Sequence, residues 1–311
     1  MPPLKRAYVA AHFALDFENE GPMGFLRSAD GGGVTTDIQT YQQGRVNDLW
    51  RQVGRPKFGD ITLQVGMGLA PPFYSWISDF FNRTVSRKNG AIIGADFNYK
   101  ERTRRNFTDT LIAEVGVPAL DGGSKDAALM TVKITPEGMT YETIEDGEKL
   151  ASPPGLGLPN KMWHAANFRF TIDGFEDSLK RVTKIDAFSI KQQILDYPAG
   201  HRRTSIRVPG RIDFPPVNIY VPEVDAEALI EQANTRLIDY AKPDDGGMNA
   251  TLEFLAPDLS TLATINMTGV DIVSSEPQKL DASAETVALV KFQLQVEAMT
   301  MEYESEADAT T

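Results

Sequence analysis

Hydrophobic and polar positions alternate along much of this chain, in short runs bounded by Gly, Pro and Asp. That is the period of half-buried strands. HFALDFE places Phe13, Leu15 and Phe17 on one face. The glycine turn in ADGGG then leads into a strand through Val34, Thr36, Ile38 and Thr40. A polar, basic stretch follows, RVNDLWRQVGRPK, and after it FGDITLQVG, where Ile61, Leu63 and Val65 alternate with polar neighbours. Here the period changes. In APPFYSWISDFFNRTV, Phe73, Ile77, Phe80 and Phe81 fall at i, i+4, i+7 and i+8 with Trp76 beside them. This predicts an amphipathic helix entered at Pro71 and Pro72. AIIGADFNYK and ALMTVKITPEGMTYE return to strand, with Met130, Val132 and Ile134 on one face.

LASPPGLGLPN, residues 150–160, holds three prolines and two glycines and reads as a linker. Beyond it the order repeats. NFRFTIDG stands where HFALDFE stood, and RVTKIDAFSIKQQILDYPAG offers two strand faces and a turn. HRRTSIRVPGRIDF takes the place of the basic stretch, and in FPPVNIYVP the residues Val217, Ile219 and Val221 stand 156 positions after Ile61, Leu63 and Val65. DAEALIEQANTRLIDYAKP predicts the second helix, with Asp225 as N-cap and Leu229, Ala233 and Leu237 in the places of Phe73, Ile77 and Phe81. MNATLEFLAP and VALVKFQLQVEAMTMEY close the second set as strands. Near the end Leu120 and Asp121 answer to Leu280 and Asp281, 160 positions on, a drift that short loop insertions explain. The expected organisation is a tandem pair of mainly β domains, each with one helix after its central strand. They cover 1–149 and 161–303, joined by the linker 150–160 and followed by a disordered tail, 304–311.

The repeated unit resembles the tail-tube family of contractile phages and phage-derived injection systems, whose relatives include the Hcp ring protein of type VI secretion. GVTTDIQTYQQG, GRPKFGDITLQVG and FYSWISDFFN carry the likeness in the first copy, through Pro56, Lys57, Phe58, Gly59, Ile61, Thr62, Leu63, Phe73, Tyr74, Trp76 and Ile77. The basic residue common after that strand is absent, Gln64 and Val65 standing there. In the second copy Asp196, Tyr197 and Gly200 occupy the turn and Pro209 and Gly210 the strand entrance, while the helix lacks the tryptophan. The resemblance implies a β-sandwich or small barrel with a flanking α-helix. It also implies assembly into six-unit rings around a channel, by edge strands that a ring leaves unexposed. Two copies in one chain permit two geometries. Side by side, three chains complete a pseudo-sixfold ring, as a hub or adaptor; stacked, six chains make the two-layer ring of a principal tube. The stiff linker favours the first. The expected partners are further copies of the chain and neighbouring tube, hub or sheath proteins. DNA or protein cargo would pass through the lumen without specific binding. A soluble β-rich module that binds an effector is the alternative of another class.

Composition narrows the chemistry. The 311 residues include no cysteine, which excludes disulfides, thiol catalysis and cysteine-bound metal. His12, His164 and His201 stand far apart. No run approaches the length of a membrane-spanning helix, and the N-terminal segment does not read as a secretory signal. The expected location is a virion tail or an injection particle assembled in the cytoplasm, without membrane insertion. Net charge is −12, of which residues from Lys161 onward carry −10, so tight nucleic-acid binding is disfavoured. No G-x-S-x-G, H-E-x-x-H or phosphate-binding glycine-lysine motif is present. Asp16 with Glu18, and Asp244 with Asp245, read as exposed carboxylates rather than acid–base pairs. No enzyme activity and no cofactor are expected.

Two basic clusters remain, Lys100, Arg102, Arg104 and Arg105, and His201, Arg202, Arg203, Arg207 and Arg211. Each reads either as a contact with DNA or with an acidic neighbouring subunit, of which the subunit is favoured, or as a solvated face. Trp50 reads as an assembly anchor or as a ring packed on its own domain; Trp76 reads as core, and Trp163 as the cover of a domain edge. The candidate assembly interface is therefore Arg45, Trp50, Arg51, Arg55 and Lys57 in the first stretch, with Arg202, Arg203, Arg207 and Arg211 in the second.

Overall fold

The computed structural model describes residues 12–42, 49–145, 147–150, 163–238, 247–278 and 287–304. The predicted linker, apart from Leu150, lies outside the described residues, as do Leu280, Asp281 and nearly all of the predicted tail.

In the first half, β1 (His12–Phe17), β2 (Gly21–Phe25) and β3 (Ser28–Gly31) lead to a hairpin of β4 (Val34–Gln42) and β5 (Leu49–Phe58). Then come β6 (Ile61–Val65), helix α1 (Pro71–Phe81), β7 (Lys88–Ala95) and the long β8 (Glu101–Val117). The half closes with β9 (Leu120–Asp121), β10 (Met130–Thr135) and β11 (Gly138–Thr143). The second half begins with β12 (Phe168–Ile172), α2 (Glu176–Leu179) and β13 (Lys184–Ile185), followed by the hairpin β14 (Phe188–Tyr197) and β15 (Ile206–Asp213). β16 (Val217–Pro222), α3 (Glu227–Leu237), β17 (Met248–Leu255), β18 (Thr261–Pro277), β19 (Leu289–Gln295) and β20 (Ala298–Tyr303) complete it.

The two sets are paired alike. β1–β7–β8–β10–β6–β3 is one antiparallel path, and β12–β17–β18–β19–β16–β13 is its counterpart. β11 and β20 pair with β8 and β18, and β4–β5 corresponds to β14–β15. β2 has no strand counterpart in the second half, where α2 stands in its place, and the counterpart of β9 would fall outside the described residues. The alternation that predicts β6 and β10 does so because Ile61, Leu63, Val65, Met130, Val132 and Ile134 all turn into the core. The face of α1 buries Phe73, Trp76, Ile77, Phe80 and Phe81 as expected, with Tyr74 added. At about 1.5–3 kcal/mol per large apolar side chain, this face holds the helix on the sheets. Trp76 is core, and its indole N–H donates to the Ser86 carbonyl at 3.0 Å.

Several expectations are corrected. The polar, basic stretch RVNDLWRQVGRPK, given no element by its pattern, is from Leu49 onward the strand β5. Asp225 does not cap α3; the N-cap is Ala226, without a side-chain cap, while Asp225 ends a 3-10 turn and pairs with Arg181. Leu237 does not join the buried face, since Leu229 and Ala233 alone are fully buried there. The long strands β8 and β18 do not announce themselves by alternation, and each is the centre of its half.

The halves are not two separate sheets. β14 of the second half pairs with the end of β8 in the first, and β9 of the first pairs with β13 of the second. Helix α1 lies across β20, where Ser78 Oγ donates to the Met301 carbonyl at 2.6 Å and Tyr74 stacks on Tyr303 at 4.0 Å between centroids. One continuous apolar core runs through both halves.

Candidate assembly surface

The hairpin β14–β15 is seated on the first half, and its register is explicit. Phe188, Ser189, Ile190 and Lys191 face Val117, Gly116, Val115 and Glu114 across an antiparallel ladder. Ile190 is fully buried there. β15 then brings Arg207 over the bend between β10 and β11. Its guanidinium bonds Asp60 at 3.1 Å, the Phe58 carbonyl at 2.5 Å and the Thr135 hydroxyl. Its backbone N–H donates to Glu137 at 2.8 Å. Glu137 is buried, and it also takes Arg87 at 2.6 Å and Arg202 at 3.4 Å. Arg87 in turn donates to the Arg207 carbonyl. A buried carboxylate survives only with such partners. Sequence reasoning singled out Arg202 and Arg207 but missed Glu137, Asp60 and Arg87. The available signal was the repeated Glu-x-Met-Thr of Glu137 to Thr140 and Glu297 to Thr300.

The hairpin β4–β5 has no such seat. It forms a two-stranded sheet of its own, and every residue of β4 is exposed. Val34, Ile38, Tyr41, Leu49, Trp50 and Val53 are all exposed large hydrophobics. An isolated two-stranded hairpin is marginal in water, and clustered exposed apolar residues mark contact surfaces. Trp50 pairs with Tyr41 across the ladder and is not packed into its own half. Arg51 and Arg55 are exposed beside it. Lys57 bonds Asp37 at 2.8 Å, and that hydrogen bond is the chief reason its ammonium titrates above the ordinary lysine value. Arg45 lies outside the described residues.

The remaining candidates separate. In the first basic cluster Arg102 pairs with Asp96 at 2.9 Å, and Arg104 pairs with Glu101 at 2.7 Å and Asp16 at 3.3 Å. Asp16 is thus one side of an ion pair; Asp244 and Asp245 lie outside the described residues. Arg203 is exposed at the hairpin turn, and Arg211 is exposed on the rim of a groove that also holds Phe214 and Glu297. Trp163 is buried against Phe254 with ring centroids 4.5 Å apart. Among the described residues no group of three or more His, Asp or Glu is placed to hold a metal, and no helix is long and apolar enough to cross a membrane.

Residues 9–140 match the family described as T4-like virus tail tube protein gp19, so the family likeness read in the first half is found there independently. Solved structures similar to the chain include the anti-feeding prophage tube-terminating cap, at 19% identity over 45% of this chain and 94% of that one, with a TM-score of 0.39. A chain of the sheath–tube complex of an extracellular contractile injection system in its extended state has 16% identity over 45% of this chain and 95% of that one, with a TM-score of 0.39. A chain of the anti-feeding prophage baseplate has 16% identity over 46% and 99%, with a TM-score of 0.41. No curated protein matches the chain.

Proposed function

We propose that this chain is a structural subunit of a phage tail or contractile injection machine. In this reading it is a tandem tail-tube-type protein, of which three copies close into a pseudo-sixfold ring with a central channel. The observation that carries the reading is the ladder between β14 and β8. Two units of one kind are joined within one chain by an edge strand of the second completing the sheet of the first. That is a side-by-side junction, and repeating it head to tail is the operation that closes rings. A stacked pair of units would leave the β8 edge free for another chain.

The partners in this reading are further copies of the chain and the tube, hub or sheath proteins above and below it. Cargo passes through the channel without a binding site. Ring closure and stacking, not chemistry, are the mechanism. Charge detection or native mass spectrometry on the purified assembly, with class averages from electron micrographs, tests this. Three chains of 34.3 kDa in a ring with six density lobes are expected. A two-layer ring of six chains would make it a principal tube instead. A stable monomer at high micromolar concentration, with or without an added template ring, would favour the soluble effector-binding module.

A further inference from the structure

We infer that the bare β4–β5 hairpin of one copy docks on the second half of a neighbouring copy, with Arg51 entering a groove whose acid is Glu297. The contact made once inside the chain is thereby repeated between chains. This rests on the ring reading above and adds to it the residues and their register.

The internal duplication supplies the template. Arg51 and Arg55 occupy the places of Arg207 and Arg211, by the same spacing that relates Ile61 to Val217. Glu297 occupies the place of Glu137. The Glu137 amide donates to Thr108 and the Glu297 amide to Thr268, each at 3.1 Å, at equivalent points of β8 and β18. Yet the two acids differ in state. Glu137 is buried under two arginines and an amide, whereas Glu297 is exposed with no side-chain partner among the described residues. Arg207 sits among Phe58, Thr135 and Glu137. The equivalent residues Phe214, Gln295 and Glu297 line an open groove of about 530 Å³. Arg83, Arg211 and Asp213 line it as well, so an entering arginine meets two acids and two cations, in the way Arg207 meets Arg87 and Arg202 around Glu137.

Two further surfaces agree. Residues 114–117 of β8 carry β14 on their outer edge, while the equivalent residues 274–277 of β18 pair with β19 alone among the described residues. The strand missing there is the counterpart of β14, namely β4. Transferring the register puts Thr35, Val34 and Gly33 opposite Ser274, Ser275 and Glu276. Val34 is 58% exposed where its counterpart Ile190 is fully buried. On the other side of the junction, α1 covers β20, burying Phe81 and Met301. Their counterparts are Leu237 on α3, 47% exposed, and Tyr141 on β11, 65% exposed. Each bare surface on the first half thus has its complement bare on the second, the heterologous arrangement that a second copy satisfies. One element is not repeated: Pro216 stands where Asp60 binds Arg207, so Glu297 bears more of the contact with Arg51 than Glu137 does with Arg207.

Because the chain has no cysteine, the register is directly testable. The double variant Val34→Cys/Ser275→Cys is oxidised and run without reductant; chain-to-chain disulfides up to a closed trimer are expected. Val34→Cys/Glu276→Cys, one residue out of register and on the opposite face, gives at most about a tenth of that yield. In sedimentation velocity Glu297→Arg weakens self-association at least about tenfold, and Arg51→Glu in the same chain restores part of it. At concentrations where the chain is monomeric both variants keep the wild-type melting curve, which separates a lost contact from a lost fold. An oligomer that forms normally but gives no Val34–Ser275 bond, or that tolerates Glu297→Arg, overturns this inference and leaves the ring standing. A chain that stays monomeric and uncrosslinked overturns both.

Discussion

Arg207 donates its backbone N–H to the Glu137 carboxylate at 2.8 Å, across seventy residues of sequence and from one half of the chain to the other. The same carboxylate holds Arg87 and Arg202, so a single buried acid ties the seated hairpin to the bend of the first half.

Removing that acid takes the acceptor from the Arg207 amide and the shared carboxylate from Arg87 and Arg202. Glu137→Ala is therefore expected to lower stability by about 3 kcal/mol, more than any substitution of the exposed arginines. Urea titration followed by tryptophan fluorescence checks this. A loss below about 1 kcal/mol would mean that water satisfies the cluster.

Tyr74 is buried, accepts the Leu69 N–H at 3.1 Å and donates to the Gly66 carbonyl at 2.7 Å. Tyr74→Phe leaves both partners unsatisfied, at a cost of about 1–3 kcal/mol in thermal unfolding.

Burial also raises the Tyr74 phenol well above its ordinary value of 10.0. A group raised in the folded state contributes stability that is complete below its unfolded value and is lost as the pH climbs past it. The wild-type protein is therefore expected to lose stability above about pH 10 more steeply than the Phe variant. Parallel alkaline melts of the two proteins give the comparison, and equal slopes would remove Tyr74 from the account.

Trp50 lies on an exposed ladder, so Trp50→Ser is expected to change monomer stability by no more than about 0.5 kcal/mol. Self-association is expected to weaken at least about tenfold, since aromatics concentrate interface energy. Analytical ultracentrifugation beside a melt separates the two quantities.

Gly31 adopts φ +94°, and a Cβ there would stand 2.2 Å from the Asp60 carbonyl oxygen. Gly31→Ala is expected to be destabilising by about 1–3 kcal/mol, through both the left-handed backbone and the clash with the Asp60 carbonyl. Chemical denaturation reads it out.

Much of this architecture is legible in the sequence where one strand face is wet. Ile61, Leu63 and Val65 alternate because the other side of β6 is polar, and Val217, Ile219 and Val221 repeat the pattern although Tyr220 on the other side of β16 is buried as well. β8 and β18 resist such reading. Each changes neighbours halfway along, as where β8 leaves β7 and β11 for β10 and β14, so no single period spans either one. β5 reads only as a polar, basic stretch because its side chains are largely exposed on both faces, so its apolar residues Leu49, Trp50 and Val53 follow no strand period. Asp225 reads as a cap from residue type alone, but the ion pair with Arg181 holds its carboxylate away from the helix start. The candidate assembly surface is half legible. Its cations stand out as runs in the sequence, whereas Glu137 is a lone acid whose importance comes only from what the fold lays over it.

The peptide bond between the halves has a kinetic meaning for the junction of β14 with β8. A contact between tethered units forms at a fixed local concentration and does not dissolve on dilution. A closed circle of six units would then need two bimolecular encounters instead of five, the last joint in either case closing within the assembly. It would also carry two distinguishable joints in strict alternation, one permanent and one free to open.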